Sequence, residues 1–347
     1  MGDDTMAMTY LVTGAAGFIG YYTSKALLEA GNTVIGLDSV NDYYRTDLKE
    51  ERLALLDQCA VSGRWFFYRG NLEDADLVGR IFSEHNFDRV IHLAAQAGVR
   101  YSITNPGAYT SSNIDGFLTI LEACRRHKIR HLAFASSSSV YGMNRKVPFC
   151  ETDPVDHPVS LYAATKRANE LMAHTYSHLY GLPVTGMRFF TVYGPMGRPD
   201  MAYFKFAEAI MKGKPIDVYN NGDLLRDFTY VDDVVKAIIR IADTPARGDS
   251  SFDAEQPALD RSSAPYRIYN IGNEHPEKLE RFISILEEQL GVKAIKNYLP
   301  MQMGDVYMTA ADTSSLEKDF EWKPSTPLET GLERFTGWFK EKKIWQR

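Results

Sequence analysis

Cysteines and long apolar runs are both scarce in this sequence, and their scarcity excludes several classes of protein. Three cysteines occur in 347 residues, an odd and sparse set that provides neither a disulfide framework nor a zinc pattern and favours a reducing compartment. No stretch approaches the roughly 20 apolar residues of a membrane span. Asp3 and Asp4 stand where a signal peptide would need basic residues followed by an apolar run. We therefore expect a cytoplasmic protein with no membrane partner and no metal.

An excess of positive charge is also missing. The formal net charge of −6 argues against a nucleic-acid partner, although it leaves room for a local basic pocket that binds a phosphorylated metabolite. The fractions of hydrophobic residues (44%) and charged residues (24%) are ordinary for a globular enzyme. The length exceeds the usual size of a single core and predicts a large and a smaller lobe.

Short apolar runs alternate with helical patterns through the first half of the chain. This alternation predicts an α/β fold, a doubly wound parallel (Rossmann) sheet with ligands at the carboxyl ends of its strands and a smaller C-terminal α/β substrate lobe. The predicted strands cover residues 9–13, 33–37, 65–68, 89–93, 131–135 and 184–188, and predicted helices cover 18–30, 75–85, 107–128 and 160–179. We place the first domain at 8–190, with segments near 226–243 returning to it, and the smaller lobe mainly at 191–340, with a surface loop at 245–265.

A glycine-rich turn follows the first predicted strand. Gly14, Gly17 and Gly20 allow a tight turn, a close backbone approach to a pyrophosphate and close contact between helix and strand. Asp38 ends the second predicted strand, eighteen residues past Gly20. A carboxylate at that place accepts from ribose hydroxyls and repels a 2′-phosphate. The combination predicts NAD as the cofactor; the alternative is a glycine turn that binds nothing.

Further positions at the predicted strand ends complete the expected cofactor site. Asn71 keeps an acceptor oxygen for adenine, and Asn113, within a helical pattern, is either part of this site or a solvated or helix-kinking position. The predicted cofactor contacts are Gly14, Gly17, Phe18, Ile19, Gly20, Asp38, Asn41, Asn71, Leu72, Leu93, Ala94, Ala95, Gln96, Asn113, Tyr162, Lys166 and Phe189.

Tyr162 and Lys166 are four residues apart in a helical pattern, so both side chains project from one face. A free tyrosine titrates at about 10, but a neighbouring ammonium and a cationic nicotinamide favour the phenolate. Tyr162 can then remove a hydroxyl proton while a hydride leaves for the cofactor. The spacing alone also fits a half-buried helix face. Because the Tyr162 and Lys166 pair follows a glycine motif and a serine-rich strand end at 135–142, the pair predicts oxidation of a carbinol carbon.

With these motifs, the sequence resembles the extended short-chain dehydrogenase/reductase family, in particular nucleotide-sugar epimerases, from Tyr10 to about Trp338. The resemblance implies that Ser137 hydrogen-bonds the reacting hydroxyl, that Ser139 also contacts the sugar, and that Ser138 between them is a further candidate substrate contact. It also implies a homodimer formed through helices near 107–128 and 160–179.

The residues before the Val-Tyr-Gly turn indicate which reaction follows the oxidation. Dehydratases and UDP-glucuronate decarboxylases that resemble this chain carry an acidic residue there, because elimination needs an acid and a base. This chain has Ser138 and Ser139 instead. The resemblance therefore implies 4-epimerisation, in which the hydride returns to the opposite face of a rotated 4-keto sugar and NAD is regenerated.

Three stretches, at residues 38–44, 197–204 and 263–273, resemble epimerases that act on UDP-glucuronate more than those that act on UDP-glucose. A fixed guanidinium at Arg198 can hold a C6 carboxylate as a bidentate pair and hinder decarboxylation; the alternative for Arg198 is a surface or loop ion pair. Thr191 offers a smaller polar contact near C6.

The resemblance also assigns residues to the UDP group. It places Arg226 on the pyrophosphate and Asp305 on the ribose, with Arg267 as a candidate second phosphate contact. Tyr219 either stacks on uracil or belongs to the core. The remaining alternatives are a UDP-glucose 4-epimerase, a UDP-glucuronate decarboxylase and a catalytically silent NAD-binding regulator.

Overall fold

The computed structural model describes residues 7–301 and 306–346, and its strands form one large and two small sheets. In chain order the strands are β1 (Thr9–Thr13), β2 (Thr33–Asp38), β3 (Trp65–Arg69), β4 (Arg89–His92), β5 (Leu132–Ser137), β6 (Val184–Phe189), β7 (Thr191–Tyr193), β8 (Pro215–Val218), β9 (Leu225–Tyr230), β10 (Tyr266–Ile271), β11 (Pro276–Lys278) and β12 (Ile295–Tyr298).

The helices lie between these strands and at the C-terminal end. They are α1 (Phe18–Glu29), α2 (Asp47–Cys59), α3 (Ala75–Glu84), α4 (Tyr101–Thr104), α5 (Pro106–Tyr109), α6 (Gly116–Arg126), α7 (Leu161–Tyr180), α8 (Ala202–Met211), α9 (Val231–Asp243), α10 (Leu279–Leu290), α11 (Ser314–Phe320) and α12 (Leu328–Glu341). A π-helical turn covers Thr110–Asp115, and short 3₁₀ turns cover Ser138–Tyr141, Tyr219–Gly222 and Ile344–Gln346. No helix in the described part of the chain combines the length and the apolar character needed to cross a membrane.

The large sheet has the strand order β10-β6-β5-β4-β1-β2-β3, and every pairing in it is parallel. Its central strands are buried along their whole length, as strands covered by helices on both faces must be. The strand order reverses between β1 and β4, which opens a crevice at their carboxyl ends. The predicted doubly wound sheet is confirmed.

The chain of the C-terminal half returns to this sheet. β10 pairs with β6 from Tyr266 opposite Val184 to Ile271 opposite Phe189, a strand that the apolar pattern did not predict. The buried face of α9, which includes Val234, packs on α1 and the sheet. The two small sheets, β11-β9-β7 and β12-β8, lie in the second half of the chain.

The predicted helix over 107–128 is interrupted in the structure. It divides into α5, the π-helical turn and α6, because the turn carries Asn113 inward, where the side chain bonds the backbone of Gln96. The apolar pattern does not predict helix α2, whose buried face includes Lys49 and Arg52.

Candidate active site

A cavity of about 810 Å³ opens at the carboxyl ends of the central strands. All predicted cofactor residues except Asn113 line it, and so do six predicted substrate residues: Ser137, Ser138, Ser139, Thr191, Arg198 and Tyr219. Sequence reasoning missed several polar residues of this wall, namely Tyr43, Tyr44, Lys49, Arg100, Asp200, Lys205 and Asp217. The cavity therefore brings the predicted cofactor and sugar residues into one space.

The glycine turn closes one end of the cavity. Gly14 has φ +74°, and a Cβ there would lie 2.8 Å from the backbone nitrogen of Ala94. A Cβ on Gly20 would lie 2.0 Å from the carbonyl oxygen of Gly14. Gly17 precedes the first residue of α1, so the positive end of the helix dipole faces the cavity. A side chain at Gly14 or Gly20 would clash with the backbone of the turn or of the segment after β4, so only glycine allows this close packing.

Asp38 lies at the end of β2, beside the glycine turn. Its carboxylate accepts from the backbone nitrogens of Ala16 at 3.0 Å and Val40 at 2.7 Å. Val40 is β-branched yet has φ +51°, a strained conformation of the kind that concentrates at ligand sites. Lys49 donates to the backbone oxygen of Asn41 at 2.6 Å and to its side-chain oxygen at 2.8 Å, and burial lowers the pKa of Lys49.

The catalytic pair lies on the first turns of α7. The helix begins after Ser160, whose hydroxyl accepts from the backbone nitrogen of Ala163 at 3.1 Å. Lys166 donates to the carbonyl oxygen of Ala135 at 2.9 Å, and burial lowers its pKa to about 8. Tyr162 lies one turn earlier on the same face.

Two groups act on the Tyr162 hydroxyl in opposition to burial. Burial raises the pKa of Tyr162, while a hydrogen bond with Ser137 and the positive charge of Arg198 oppose the rise. Ser137 donates to the hydroxyl of Ser139 at 3.1 Å, so these serines lie side by side at the end of β5. The structure thus places a tyrosine, a lysine and a hydroxyl partner around one point.

A buried ion pair lies behind this constellation. The guanidinium of Arg188 in β6 bonds both carboxylate oxygens of Glu170 in α7, at 2.8 and 3.0 Å. Ser136 donates to Glu170 at 2.6 Å, and Arg188 also donates to the Tyr141 hydroxyl at 3.1 Å. Both charged side chains are fully buried. The pair fixes α7, and so Tyr162, against β5 and β6.

Arg198 lies in the cavity wall and forms an ion pair there. Its Nε lies 3.0 Å from Oδ1 of Asp200, and its Nη2 lies 2.5 Å from Oδ2. Tyr43 donates to the same carboxylate at 3.1 Å. The loop ion pair that was the alternative for Arg198 therefore forms within the site itself, close enough for the arginine to act on Tyr162.

Arg52 ties the Arg198 loop to the glycine turn. Its fully buried guanidinium donates to the carbonyl oxygens of Ala16 at 2.9 Å, Met196 at 2.6 Å and Gly197 at 3.2 Å. Helix α2 supplies this bracket between the two halves of the cavity. The charged residues of the α2 sequence do not indicate that Arg52 is buried and makes these bonds.

Asn113 is predicted from the sequence to contact the cofactor, and Tyr219 either to stack on uracil or to belong to the core. Asn113 does not line the cavity: its side chain accepts from the backbone nitrogen of Gln96 at 2.8 Å and donates to the hydroxyl of Thr165 at 3.0 Å. Asn113 therefore holds the backbone of Gln96, in the segment after β4, and does not itself form part of the cavity surface. Tyr219 both packs on the core and lines the cavity, with the Arg100 guanidinium 5.2 Å from its ring centroid.

Two of the residues predicted to bind UDP, Arg267 and Arg226, do not line the cavity. Arg267 lies outside it, with its guanidinium bonded to Asp260 at 2.5 Å and Asp319 at 3.1 Å, so two carboxylates already occupy the proposed phosphate contact. Arg226 lies outside its lining and donates to the carbonyl oxygen of Tyr307 at 3.1 Å. Asp305 lies outside the described residues.

Comparisons with known proteins agree with this geometry. UDP-glucuronate 4-epimerase 2 of Arabidopsis thaliana is 49% identical over 337 residues, which cover 96% of this chain and 76% of that protein. The crystal structure of UDP-glucuronic acid 4-epimerase from Bacillus cereus, in complex with UDP-glucuronic acid and NAD, is 31% identical, with a TM-score of 0.84 and coverage of 96% of this chain and 100% of that chain.

A structure of another named activity is almost as similar. The UDP-glucose 4-epimerase of Thermotoga maritima, solved with UDP-glucose, is 30% identical, with a TM-score of 0.83 and coverage of 97% of this chain and 100% of that chain. The sequence model of the NAD dependent epimerase/dehydratase family matches residues 10–272. The resemblance found in the sequence is confirmed: the chain belongs to the NAD-dependent epimerase/dehydratase family.

Proposed function

We propose that this chain catalyses the 4-epimerisation of UDP-glucuronate to UDP-galacturonate through a transient 4-keto sugar, with NAD recycled in place. The observation that carries the proposal is the presence of Arg198 in the same cavity as Tyr162, Lys166 and Ser137. A guanidinium beside the catalytic tyrosine suits a sugar that bears a carboxylate. The relatives named as UDP-glucuronate 4-epimerases support the same substrate.

The residues present fit NAD. Gly14, Gly17 and Gly20 pack so closely on neighbouring backbone that a Cβ would clash, and the backbone N–H groups at the start of α1 would hold the pyrophosphate. The carboxylate of Asp38 would accept from the ribose hydroxyls. When bound, the nicotinamide supplies a reversible hydride acceptor.

The chain's own residues handle the proton and the orientation of the sugar. Tyr162 takes the proton from the C4 hydroxyl and returns it after the sugar has turned, while Ser137 holds the same oxygen. Lys166, fixed on the carbonyl oxygen of Ala135, keeps positive charge beneath the site. Serines, not carboxylates, follow β5, so this strand end offers no acid or base for elimination.

Arg198 and Thr191 both line the cavity, and we propose that they contact the C6 end of the sugar. A bidentate pair between Arg198 and the C6 carboxylate would hold the 4-keto acid away from the geometry in which it loses carbon dioxide. This restraint separates epimerisation from decarboxylation in the proposed function.

Incubation with UDP-glucuronate, followed by proton NMR of the product, tests the proposal. We expect UDP-galacturonate to form without added NADH, and Arg198→Ala to lower kcat/KM for UDP-glucuronate by at least about 100-fold, since a charge-assisted bidentate contact would be lost. Turnover of UDP-glucose alone would favour the UDP-glucose 4-epimerase instead. Carbon dioxide as the main product would favour the decarboxylase.

We further propose a cytoplasmic homodimer that does not bind nucleic acid. Helices α6 and α7 pack together, and their outer surface exposes Leu118, Leu171 and Leu179, with 42%, 54% and 60% of each residue accessible. Such a patch suits a second copy of the same surface.

We also propose residues 8–190 as the NAD-binding domain and 191–340 as mainly the sugar-binding lobe, with α9 returning to the first.

A further inference from the structure

The guanidinium of Arg198 has two bidentate edges, and only one of them is occupied by Asp200. A guanidinium presents its five N–H groups in one plane as two forks, one made by Nε and Nη2 and the other by Nη1 and Nη2. Asp200 takes the first fork through bonds of 3.0 and 2.5 Å. Asp200 does not bond the second fork, and both residues line the cavity.

Asp200 is itself held in place. The hydroxyl of Tyr43 donates to its Oδ2 at 3.1 Å, and the Tyr43 ring lies 4.9 Å from the ring of Tyr101, centroid to centroid. The guanidinium carbon of Arg198 lies 6.0 Å from the centroid of Tyr43. Arg198 and Asp200 are 23% and 22% exposed, so their pair is shielded from water more than a surface ion pair is.

The backbone beneath Arg198 is fixed from the other side. Arg52 donates to the carbonyl oxygens of Met196 and Gly197, and the same guanidinium binds Ala16 of the glycine turn. Met196 has φ +54°, a conformation that persists only where its surroundings enforce it. Arg198 is thus held at its backbone by Arg52 and at its side chain by Asp200.

We infer that Asp200, held by Tyr43, is a positioning residue that sets the preference for an acidic sugar, because it fixes Arg198 with the Nη1/Nη2 fork directed to the C6 carboxylate. The inference rests on the proposed function. The opposite role is that Asp200 competes with the sugar carboxylate for one cation. The two forks of Arg198 argue against competition, since each can hold its own carboxylate.

Kinetics of Asp200→Asn and Tyr43→Phe distinguish these roles. We expect Asp200→Asn to lower kcat/KM for UDP-glucuronate by about tenfold or more, because a misaligned guanidinium holds the substrate poorly. Tyr43→Phe removes one hydrogen bond to Asp200 and should lower it by about threefold. The inhibition constant of UDP-glucose as a competitor, which measures binding of the neutral sugar, should stay within about twofold of wild type.

The chain offers matched controls for both variants. Arg45 binds Asp47 with the same two-residue spacing and the same bidentate pattern, with Nε 2.8 Å from Oδ1 and Nη2 bonded to Oδ2, outside the cavity lining. The hydroxyl of Tyr68 donates to Glu84 at 2.6 Å, also outside it. Asp47→Asn and Tyr68→Phe should leave kcat/KM within about twofold of wild type.

A double-mutant cycle separates positioning from a merely structural effect. If Asp200 acts through Arg198, Asp200→Asn should cause no further loss of kcat/KM in an Arg198→Ala background, because the group that it positions is gone. A structural role would lower the activity of both backgrounds equally, and would also weaken inhibition by UDP-glucose.

Each outcome bears on one claim. A rise in affinity for UDP-glucuronate in Asp200→Asn, or an unchanged kcat/KM, would overturn the positioning role while the wild-type activity leaves the proposed function intact. A wild-type enzyme without activity on UDP-glucuronate would remove the proposed function and this inference together.

Discussion

At the scale of single residues, burial acts in opposite directions on the two catalytic groups. The pKa of Lys166 falls to about 8 because its ammonium loses water, and the pKa of Tyr162 rises because its phenolate does. Ser137 and Arg198 favour the phenolate. Arg198 therefore belongs to the catalytic environment as well as to sugar recognition.

Glu151 is a buried carboxyl group whose titration should show in the stability of the fold. It is 3% exposed, and burial raises its pKa from 4.5 to about 7. The folded chain then holds a proton that the unfolded chain releases, so the stability from this group is complete below pH 4.5 and is lost as pH rises through about 7.

We expect Glu151→Gln, which cannot ionise, to be more stable than wild type at pH 8, by about 2 kcal/mol more than any difference at pH 5. Urea unfolding at both pH values measures this shift. The exposed Glu333→Gln serves as the control for the loss of one carboxylate. A Glu151→Gln difference that is the same at pH 5 and pH 8 would mean that Glu151 does not titrate in this range.

Residues whose role depends on local backbone could be predicted, and residues whose partners are distant in sequence could not. Gly14 and Gly20 were identified because a turn at a strand end requires them. Arg52 was not, because an arginine in a helix usually lies at the surface. Its partners Ala16 and Met196 are 36 and 144 residues away, and no local pattern records them.

At the scale of secondary-structure elements, the Glu170–Arg188 pair joins α7 to β6. Both side chains are fully buried, so the Arg188 charge depends on Glu170 for compensation, while Glu170 also accepts from Arg167 at 3.1 Å. Ser136 of β5 donates to the same carboxylate. The helix that carries Tyr162 is therefore fixed to two neighbouring strands at one point.

Glu170→Gln should destabilise the protein by about 3 to 5 kcal/mol, because it leaves the Arg188 charge buried and uncompensated. The midpoint of urea unfolding measures the loss. The exposed pair Lys25–Glu29 on α1, 2.8 Å apart, provides the comparison, and Glu29→Gln should cost less than about 1 kcal/mol. Equal losses in the two variants would contradict the role given to burial.

Most elements of the first half follow from the apolar pattern, while the interruption before α6 does not. A π-helical turn inserts one residue into a helix and shifts the apolar face only slightly. The inserted turn is fixed by Asn113, which bonds the distant Gln96. The sequence allowed Asn113 to kink the helix as one alternative, but no local pattern favoured that alternative over the others.

At the scale of the whole molecule, the first and second halves of the chain share one core. A single hydrophobic cluster runs from Tyr10 of β1 to Phe335 of α12. The strand β10 could not be predicted, because its place depends on pairing with β6 across a long insertion of loop and helix. The sheet itself could be, since its central strands are continuous buried runs.

The proposed homodimer gives a prediction at this scale. The wild-type chain of 39.2 kDa should have about twice that mass in light scattering behind size exclusion, because a C2 pairing of the α6 and α7 surface buries its leucines. Leu171→Glu combined with Leu179→Glu should give a monomer. The exposed Val61→Glu, outside that surface, is the control, and a wild-type monomer would contradict the proposal.

The place of β10 has a consequence for biosynthesis. As the chain leaves the ribosome, β1 to β6 emerge first, but β6 remains an open sheet edge until Tyr266–Ile271 has been translated. The large sheet is thus unfinished while the residues between β6 and β10 are being made. A nascent chain that stalls in that interval exposes the edge of β6, a strand that is buried in the folded protein, and an exposed strand edge of this kind favours aggregation.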